Sequence, residues 1–241
     1  RKESSAASDV YKRQAWNPLT TQIESHDWQS ELYSDLARTN RILHNLATDC
    51  WSYISMGYFH QNLAAQGSTG SSTMPHKVNP IRFENAEANL EISCALLETL
   101  AQTLVTSRLQ RDLTDSSTQR NIGVAIGHSL LALSNLQGGL RGLDVAKQVM
   151  ARDLDQNWEV LGEAVQQVMR VEGLAGTPGM DNPYERLKEL TRDSHVDEAA
   201  MKDFLLSLGL SEEAESRLLA LTPQTYFGYA DELATGEALK N

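Results

Sequence analysis

The sequence predicts an all-α protein, in which a bundle of long helices is followed by a small C-terminal helical domain. The composition favours helices over strands, because Ala and Leu dominate the apolar residues and only 6% of the chain is aromatic. Three long stretches place apolar residues at every third or fourth position, which is the spacing of one helix face. No proline occurs between Pro80 and Pro178, so long uninterrupted helices are allowed in that interval.

The first long helix is predicted over residues 28–65. Residues 1–14 show neither helical nor strand periodicity, and we interpret them as a tail or a sequencing or gene-joining artefact outside the fold. Ser25 or Asp27 is expected to cap the helix, and Gly57 is expected to bend it. Its apolar positions are Leu32, Leu36, Ile42 or Leu43, Leu46, Cys50, Ile54 and Tyr58.

Two further long helices are predicted after residue 78. Asn79 is expected to cap the second, with Pro80 at its first helical position. The third is predicted over residues 122–143, where glycines are tolerated if a neighbouring helix approaches closely. The predicted buried sides are Ala86, Leu90, Cys94, Leu97, Ala101 and Leu104 in the second helix and Ile122, Ile126, Leu130, Leu133, Leu136, Leu140 and Leu143 in the third, with close approaches at Gly123, Gly127, Gly138 and Gly139.

From residue 145 the helical segments become shorter and more acidic. We therefore predict that residues 15–144 form part of a central helical-bundle catalytic domain and that residues 145–241 form a C-terminal helical domain. Three long helices in one chain cannot bury all of their apolar faces against one another. The remaining apolar surface predicts association with other chains. Helix signals in the second domain lie at residues 152–170, 183–192, 197–208, 211–221 and 223–234.

The formal net charge of -11 argues against a nucleic-acid or anionic-membrane surface. Residues 145–241 carry nine Lys or Arg against eighteen Asp or Glu, so the first 144 residues are nearly neutral. No stretch is apolar enough to span a membrane, no secretory signal begins the chain, and both cysteines lie in helical patterns, so a cytoplasmic protein is expected. The cations that either pair with nearby acids or attract an anionic substrate are Lys77, Arg108, Arg111 and Arg120.

The histidines do not have the spacing of a metal site. His26, His44 and His60 are interpreted as surface or capping residues, and His128 as a structural residue of the third helix. No metal and no other cofactor is therefore expected.

Residues 70–80, Gly-Ser-Ser-Thr-Met-Pro-His-Lys-Val-Asn-Pro, read as a reactive loop. A hydroxyl can remove a proton from carbon if its own pKa is lowered, and a lysine and an asparagine can stabilise the charge that builds on an adjacent carboxylate. The same composition is also typical of an ordinary loop.

This loop resembles the signature Gly-Ser-Ser-x-Met-Pro-x-Lys-x-Asn-Pro of the fumarase/aspartase superfamily and matches it at every fixed position. The resemblance implies a long-helix bundle, a homotetramer with shared active sites, and β-elimination that releases fumarate. Gln-Arg-Asp-Leu-Thr-Asp-Ser at 110–116 is similar to the adenylosuccinate lyase branch of this superfamily. Thr-Thr-Gln-Ile-Glu at 20–24 and Asn-Trp-Glu-Val-Leu at 157–161 resemble its bacterial members.

The resemblance implies roles for individual residues. Ser71 is expected to be the general base, with Lys77 and Asn79 stabilising the aci-carboxylate of a small succinyl-nucleotide substrate. Glu84 would orient Lys77, and Met74 would lie behind the substrate contacts. The expected substrate-binding residues are Gln22, Ser72, Lys77, Asn79, Arg111, Ser116 and Arg120.

Alternatives to this interpretation are another fumarate-releasing lyase, such as argininosuccinate lyase or fumarase, and a non-catalytic helical assembly module. The resemblance covers about residues 16–234, the later part of such an enzyme, and residues 1–14 have no counterpart in it. The general-acid histidine of the family belongs to the earlier part. The 241-residue chain alone is therefore expected to be inactive.

Overall fold

The computed structural model describes residues 17–62, 78–109, 111–191 and 196–236. The chain divides into two compact units, residues 1–145 and residues 146–241, and each is described by itself. Both units are helical within the described residues, which confirms the predicted all-α class.

The first unit is built on three long helices, and the second of them packs against both of the others. A short helix precedes the third long helix, and two three-residue strands pair antiparallel, with Phe59 opposite Val145. The elements are α1 (Asp27–Ser55), β1 (Phe59–Gln61), α2 (Ile81–Leu104), α3 (Thr114–Gln119), α4 (Ile122–Arg141) and β2 (Leu143–Val145).

The prediction that the first helix continues to residue 65 is wrong, because α1 ends at Ser55. Gly57 adopts a left-handed conformation with φ of 75°. The N–H of Tyr58 donates to the carbonyl of Tyr53 (2.9 Å) and the N–H of Gly57 to that of Ile54 (3.1 Å). These two bonds form a Schellman motif, and the Tyr53 and Tyr58 rings pack beside it. Gly57 therefore terminates the helix instead of bending it.

The predicted N-terminal caps of the long helices are also wrong. Ser25 and Asp27 bond to each other, hydroxyl to carboxylate at 2.7 Å, and His26 occupies the N-cap position of α1 without a side-chain cap. The second helix begins one residue late, with Pro80 at its N-cap position and no capping bond from Asn79.

The predicted buried side of α2 is confirmed, because Ala86, Leu90, Leu97, Ala101 and Leu104 are buried. Cys94 is half-buried at the same interface and its thiol donates to the carbonyl of Ala37. Burial raises the pKa of both thiols, Cys50 and Cys94, which are free.

The predicted buried side of the third helix is confirmed for Leu136, and Ile122 and Leu143 are half-buried against the core, but the rest of the prediction is wrong. Helix α4 buries a line of mostly small residues, and Leu136 is the one member of the predicted stripe that belongs to it. Four large residues of the predicted stripe are exposed instead, and we call them the outer face of α4. The inner line is Ala125, Ser129, Ala132, Leu136 and Gly139, and the outer face is Ile126, Leu130, Leu133 and Leu140.

Two of the four glycines in α4 are close-approach points, as predicted, and two are not. A Cβ added at Gly139 would lie 2.8 Å from Cζ of the buried Phe83, and one at Gly138 would lie 2.7 Å from the guanidinium of Arg82. Gly123 and Gly127 have open space around them within the described chain.

We expect Gly139→Ala to destabilise the fold by about 1–3 kcal/mol, because the added methyl group overlaps a buried ring. Gly123→Ala is the matched control on the same helix, and it should stabilise the fold by about 0.5–1 kcal/mol because alanine restricts the unfolded chain. Thermal unfolding of both variants measures the difference. Equal shifts in Tm would contradict the close contact between α2 and α4.

A buried polar cluster joins the three long helices at their midpoints. The Asn40 amide donates to the hydroxyls of Ser93 (3.0 Å) and Ser129 (2.8 Å), which lie 2.7 Å apart. Ser93 also contacts the carbonyl of Ala125 at 2.8 Å. These hydrogen bonds offset the cost of removing the polar groups from water, so the cluster can be buried among apolar side chains.

The second unit contains shorter helices around one apolar core. Asp197 and Ser211 cap two of them through their side chains. The helix predicted over 152–170 is broken into three elements, and the one predicted over 223–234 is helical only near its end. The elements are α5 (Lys147–Asp155), a 3₁₀ turn (Trp158–Leu161), α6 (Gly162–Leu174), α7 (Pro183–Thr191), α8 (Glu198–Ser207), α9 (Glu212–Leu219) and α10 (Ala230–Thr235).

Candidate active site

The predicted site residues fall into two groups. Ser71, Ser72, Met74 and Lys77 lie outside the described residues, so their predicted roles stay predictions. The others occupy three places: before α1, at the start of α2, and around α3. They are Gln22, then Asn79 and Glu84, then Arg111, Ser116 and Arg120.

The segment around α3 carries exposed cations with different partners. Arg108 pairs with Asp112, Nε to Oδ2, at 3.7 Å. The pKa of the Asp112 carboxyl lies below its ordinary value, mainly because the backbone N–H and the hydroxyl of Thr114 donate to it. Arg111 and Arg120 are exposed and make no ion pair within the part of the chain that the structure describes. Arg108 therefore pairs with a nearby acid. The guanidinium groups of Arg111 and Arg120 are available to an anionic substrate.

Ser116 and Arg120 lie on one side of α3. They are four positions apart, which places side chains on the same helix face, and Arg120 is the residue that follows the last turn. The Ser116 hydroxyl donates to the carbonyl of Leu113 at 3.2 Å and is exposed, so its lone pairs remain open to a ligand. Together they offer a hydroxyl and a guanidinium to an anionic group.

Glu84 in the first turn of α2 accepts a hydrogen bond from Trp51, a residue that the sequence did not single out. The indole Nε1 of Trp51, near the end of α1, donates to Oε1 of Glu84 at 3.1 Å. This bond is the last in a line of polar contacts between α1 and α2. The other pairs in the line are Arg41 with Glu98, His44 with Glu91, and Thr48 with Glu87.

His26 connects the segment before α1 with α3. Its side chain is buried, against the prediction of a surface or capping histidine. Ring atom Nε2 lies 2.9 Å from Nε2 of Gln119 in α3, and Nδ1 lies 2.5 Å from the carbonyl oxygen of Glu24. The contact with Gln119 spans 93 positions, so no local sequence signal could have revealed it.

The described residues contain neither a cluster of metal-binding side chains nor a membrane-spanning helix. No group of three or more His, Cys, Asp or Glu side chains is arranged to hold a metal ion there. None of the helices in the described ranges combines the length and the apolar character that crossing a bilayer requires.

Comparison with known families supplies the decisive observation. The chain matches the family Adenylosuccinate lyase C-terminal over residues 107–227, which is half of its length, and the family Lyase over residues 6–93. The chain belongs to the adenylosuccinate lyase family. The first of these matches covers α3 with the exposed arginines, and the second covers Gln22, His26 and the signature loop.

Individual relatives in the adenylosuccinate lyase family agree. The chain is 50% identical over 218 residues to adenylosuccinate lyase from Vibrio cholerae, and 50% identical over 215 residues to that from Escherichia coli. The alignments cover 90% and 89% of this chain and 46% of each relative. A third relative, from Dictyostelium discoideum, is 47% identical over 213 residues, which cover 87% of this chain and 44% of that protein. The chain therefore spans a little under half the length of these relatives.

A solved structure also shares the fold. The 3-carboxy-cis,cis-muconate lactonizing enzyme from Pseudomonas putida superposes with a TM-score of 0.62 at 25% sequence identity. The match covers 90% of this chain and 50% of that one. The architecture of this adenylosuccinate lyase family member is the long-helix bundle of the fumarase/aspartase superfamily.

Proposed function

We propose that the full-length gene product containing these residues is an adenylosuccinate lyase. It removes a proton from the succinyl β-carbon, the electrons of that bond form the C=C bond of fumarate, and the C–N bond breaks with its electrons on nitrogen, which takes up a proton from a general acid. Adenylosuccinate then yields AMP, and the succinylated aminoimidazole carboxamide ribotide SAICAR yields AICAR in purine biosynthesis. The observation that carries the proposal is the 50% identity to adenylosuccinate lyases across 90% of the chain.

The charges of the substrate fit the residues around α3. A succinyl nucleotide carries two carboxylates and a phosphate, and a guanidinium binds either anion with two parallel hydrogen bonds. Arg111 and Arg120 are exposed and unpaired within the described residues, and Ser116 adds a hydroxyl. We assign these three residues and Gln22 to substrate binding.

The signature loop supplies the chemistry in this proposal. Ser71 is the general base, and Ser72 is a substrate contact. A serine hydroxyl is a weak base, so Lys77 must stabilise its alkoxide, and Lys77 with Asn79 stabilises the negative charge that develops on the substrate carboxylate. Glu84 orients Lys77, and Met74 lies behind the substrate contacts.

The outer face of α4 supports the assembly part of the proposal. Leu130 is 61% exposed, and three other large aliphatic residues of the same helix lie beside it in water. The spacing of the four residues places them on one helix face, and an exposed apolar face of this kind is typical of an interface. We propose a homotetramer with shared active sites in the cytoplasm, acting on small molecules and not on nucleic acid or membranes.

We expect Arg111→Gln to raise KM for adenylosuccinate by roughly 10–100-fold, because a charge-assisted hydrogen bond is worth about 1.5–3 kcal/mol. Arg108→Gln is the matched control three positions away, and it should change KM less than about threefold because the exposed Arg108 guanidinium already pairs with Asp112. Fumarate release measures both. Similar effects of the two changes would contradict the assignment of Arg111.

A substrate panel tests the reaction itself. The full-length gene product is expected to release fumarate from adenylosuccinate and SAICAR. Turnover of argininosuccinate or malate instead would favour a sister lyase. Absence of turnover with every substrate would favour a helical assembly module.

A further inference from the structure

His26 is buried at a junction where two parts of the first unit meet. One part is the segment with Gln22 that leads into α1, and the other is α3 with Ser116 and Arg120. Only 7% of the His26 surface is accessible. His26 thus lies between the segment that carries Gln22 and the helix that carries Ser116 and Arg120, which the proposed function assigns to substrate binding.

The backbone at His26 is held in a costly conformation. Its φ of 58° lies in the left-handed region that side chains with a Cβ rarely adopt. The other non-glycine residue with positive φ in the described ranges is Leu109, at 53°, two positions before Arg111. Strain of this kind persists where the surrounding contacts require it, and it is frequent at functional sites.

The hydrogen bonds select one tautomer of the neutral His26 ring. The carbonyl oxygen of Glu24 can only accept, so Nδ1 must be the donor at 2.5 Å, and the Glu24 carboxylate lies 3.3 Å from the same atom. In the neutral ring Nε2 then carries the lone pair and accepts from the amide nitrogen of Gln119 at 2.9 Å. The backbone N–H of His26 is also fixed, because it donates to the Glu24 carboxylate at 2.8 Å.

We propose that His26 is a positioning residue that fixes the Gln22 segment against α3, and so sets the distance between Gln22 and the Ser116–Arg120 face; this inference rests on the proposed function. Both ring nitrogens contact protein atoms, so we assign the His26 ring to binding geometry rather than to proton transfer.

The test uses His26→Asn and Gln119→Leu in the full-length gene product. Asparagine tolerates positive φ but is too short to reach α3, so this change removes the bridge without adding backbone strain. We expect each variant to raise KM for adenylosuccinate on the order of tenfold, as for the loss of one hydrogen bond, with kcat per folded site within about threefold. The double variant should be no worse than the more affected single variant, because both changes remove the same contact. His60→Asn, at an exposed position in β1, is the control and should leave KM unchanged.

The outcomes separate positioning from simple stability. A merely structural role would lower Tm and the active fraction, and hence the apparent kcat, while leaving KM as in the unmodified enzyme. Unchanged KM in a folded His26→Asn or Gln119→Leu variant, or additive effects in the double variant, would overturn the proposal. If His26→Asn does not fold, Gln119→Leu, which leaves the α1 backbone intact, carries the test alone. Absence of fumarate release by the unmodified enzyme would instead refute the proposed function.

Discussion

Replacing Ser71 with alanine is expected to lower kcat for fumarate release by roughly 10²–10⁴-fold, which is the usual contribution of a placed general base. The hydroxyl is the only group lost, so KM for adenylosuccinate should change much less than kcat. Light scattering should give the same oligomer as the unmodified enzyme, because the long helices that carry the exposed apolar surface are untouched. The measurement is initial-rate kinetics of the full-length gene product.

Ser72→Ala is the matched control, since it removes the same atom one position along the loop. A residue that only contacts substrate should mainly affect KM. A large loss of kcat in Ser72→Ala, with Ser71→Ala retaining activity, would reverse the two assignments. Retained activity in both variants would remove the base from this loop.

The second large effect is expected at the outer face of α4. Burying a leucine contributes about 1.5–3 kcal/mol, and an unpaired carboxylate at the same place costs more. Leu130→Asp should therefore weaken association by at least about a hundredfold, since each 1.4 kcal/mol is a factor of ten. We expect light scattering to show dissociation to smaller species at micromolar concentrations.

Leu174→Asp provides the comparison for this prediction. Leu174 is 90% exposed at the end of α6, and it belongs to none of the buried clusters formed by the described residues. The substitution should leave the molar mass unchanged. Dissociation by both variants would indicate a general effect of added charge, and an intact oligomer with Leu130→Asp would exclude the outer face as an interface.

The periodicity of apolar residues predicted α2 well and α4 poorly, and the reason is physical. Helix α2 packs on both of its neighbours within the chain, so its large aliphatic residues mark the side that is buried here. Apart from Leu136, helix α4 packs inward through Ala, Ser and Gly, which carry little hydrophobic signal, while the four large residues of its outer face are exposed. A hydrophobic stripe thus identifies a face suited to burial but does not identify the chain that covers it.

The candidate site also combines features that the sequence predicts with features that it does not. The loop signature and the arginines around α3 could be singled out from the sequence, because the family pattern lies in short contiguous stretches, and the roles given to them stay predictions. His26 and Trp51 were not, because their partners Gln119 and Glu84 lie 93 and 33 positions away. Contacts of this length depend on how the helices pack, which a single sequence does not display.

The hydrogen bonds of Asn40 with Ser93 and Ser129 also restrict how the three long helices can move relative to one another. Sliding one helix by a turn, about 5.4 Å, would leave an amide without partners in apolar surroundings. Tilting about that point would preserve these hydrogen bonds, so we infer that the cluster acts as a pivot near the midpoints of the three helices. The amplitude of tilting grows with distance from a pivot, so we expect it to be largest at the helix ends, where Glu84 and the contact between His26 and Gln119 lie.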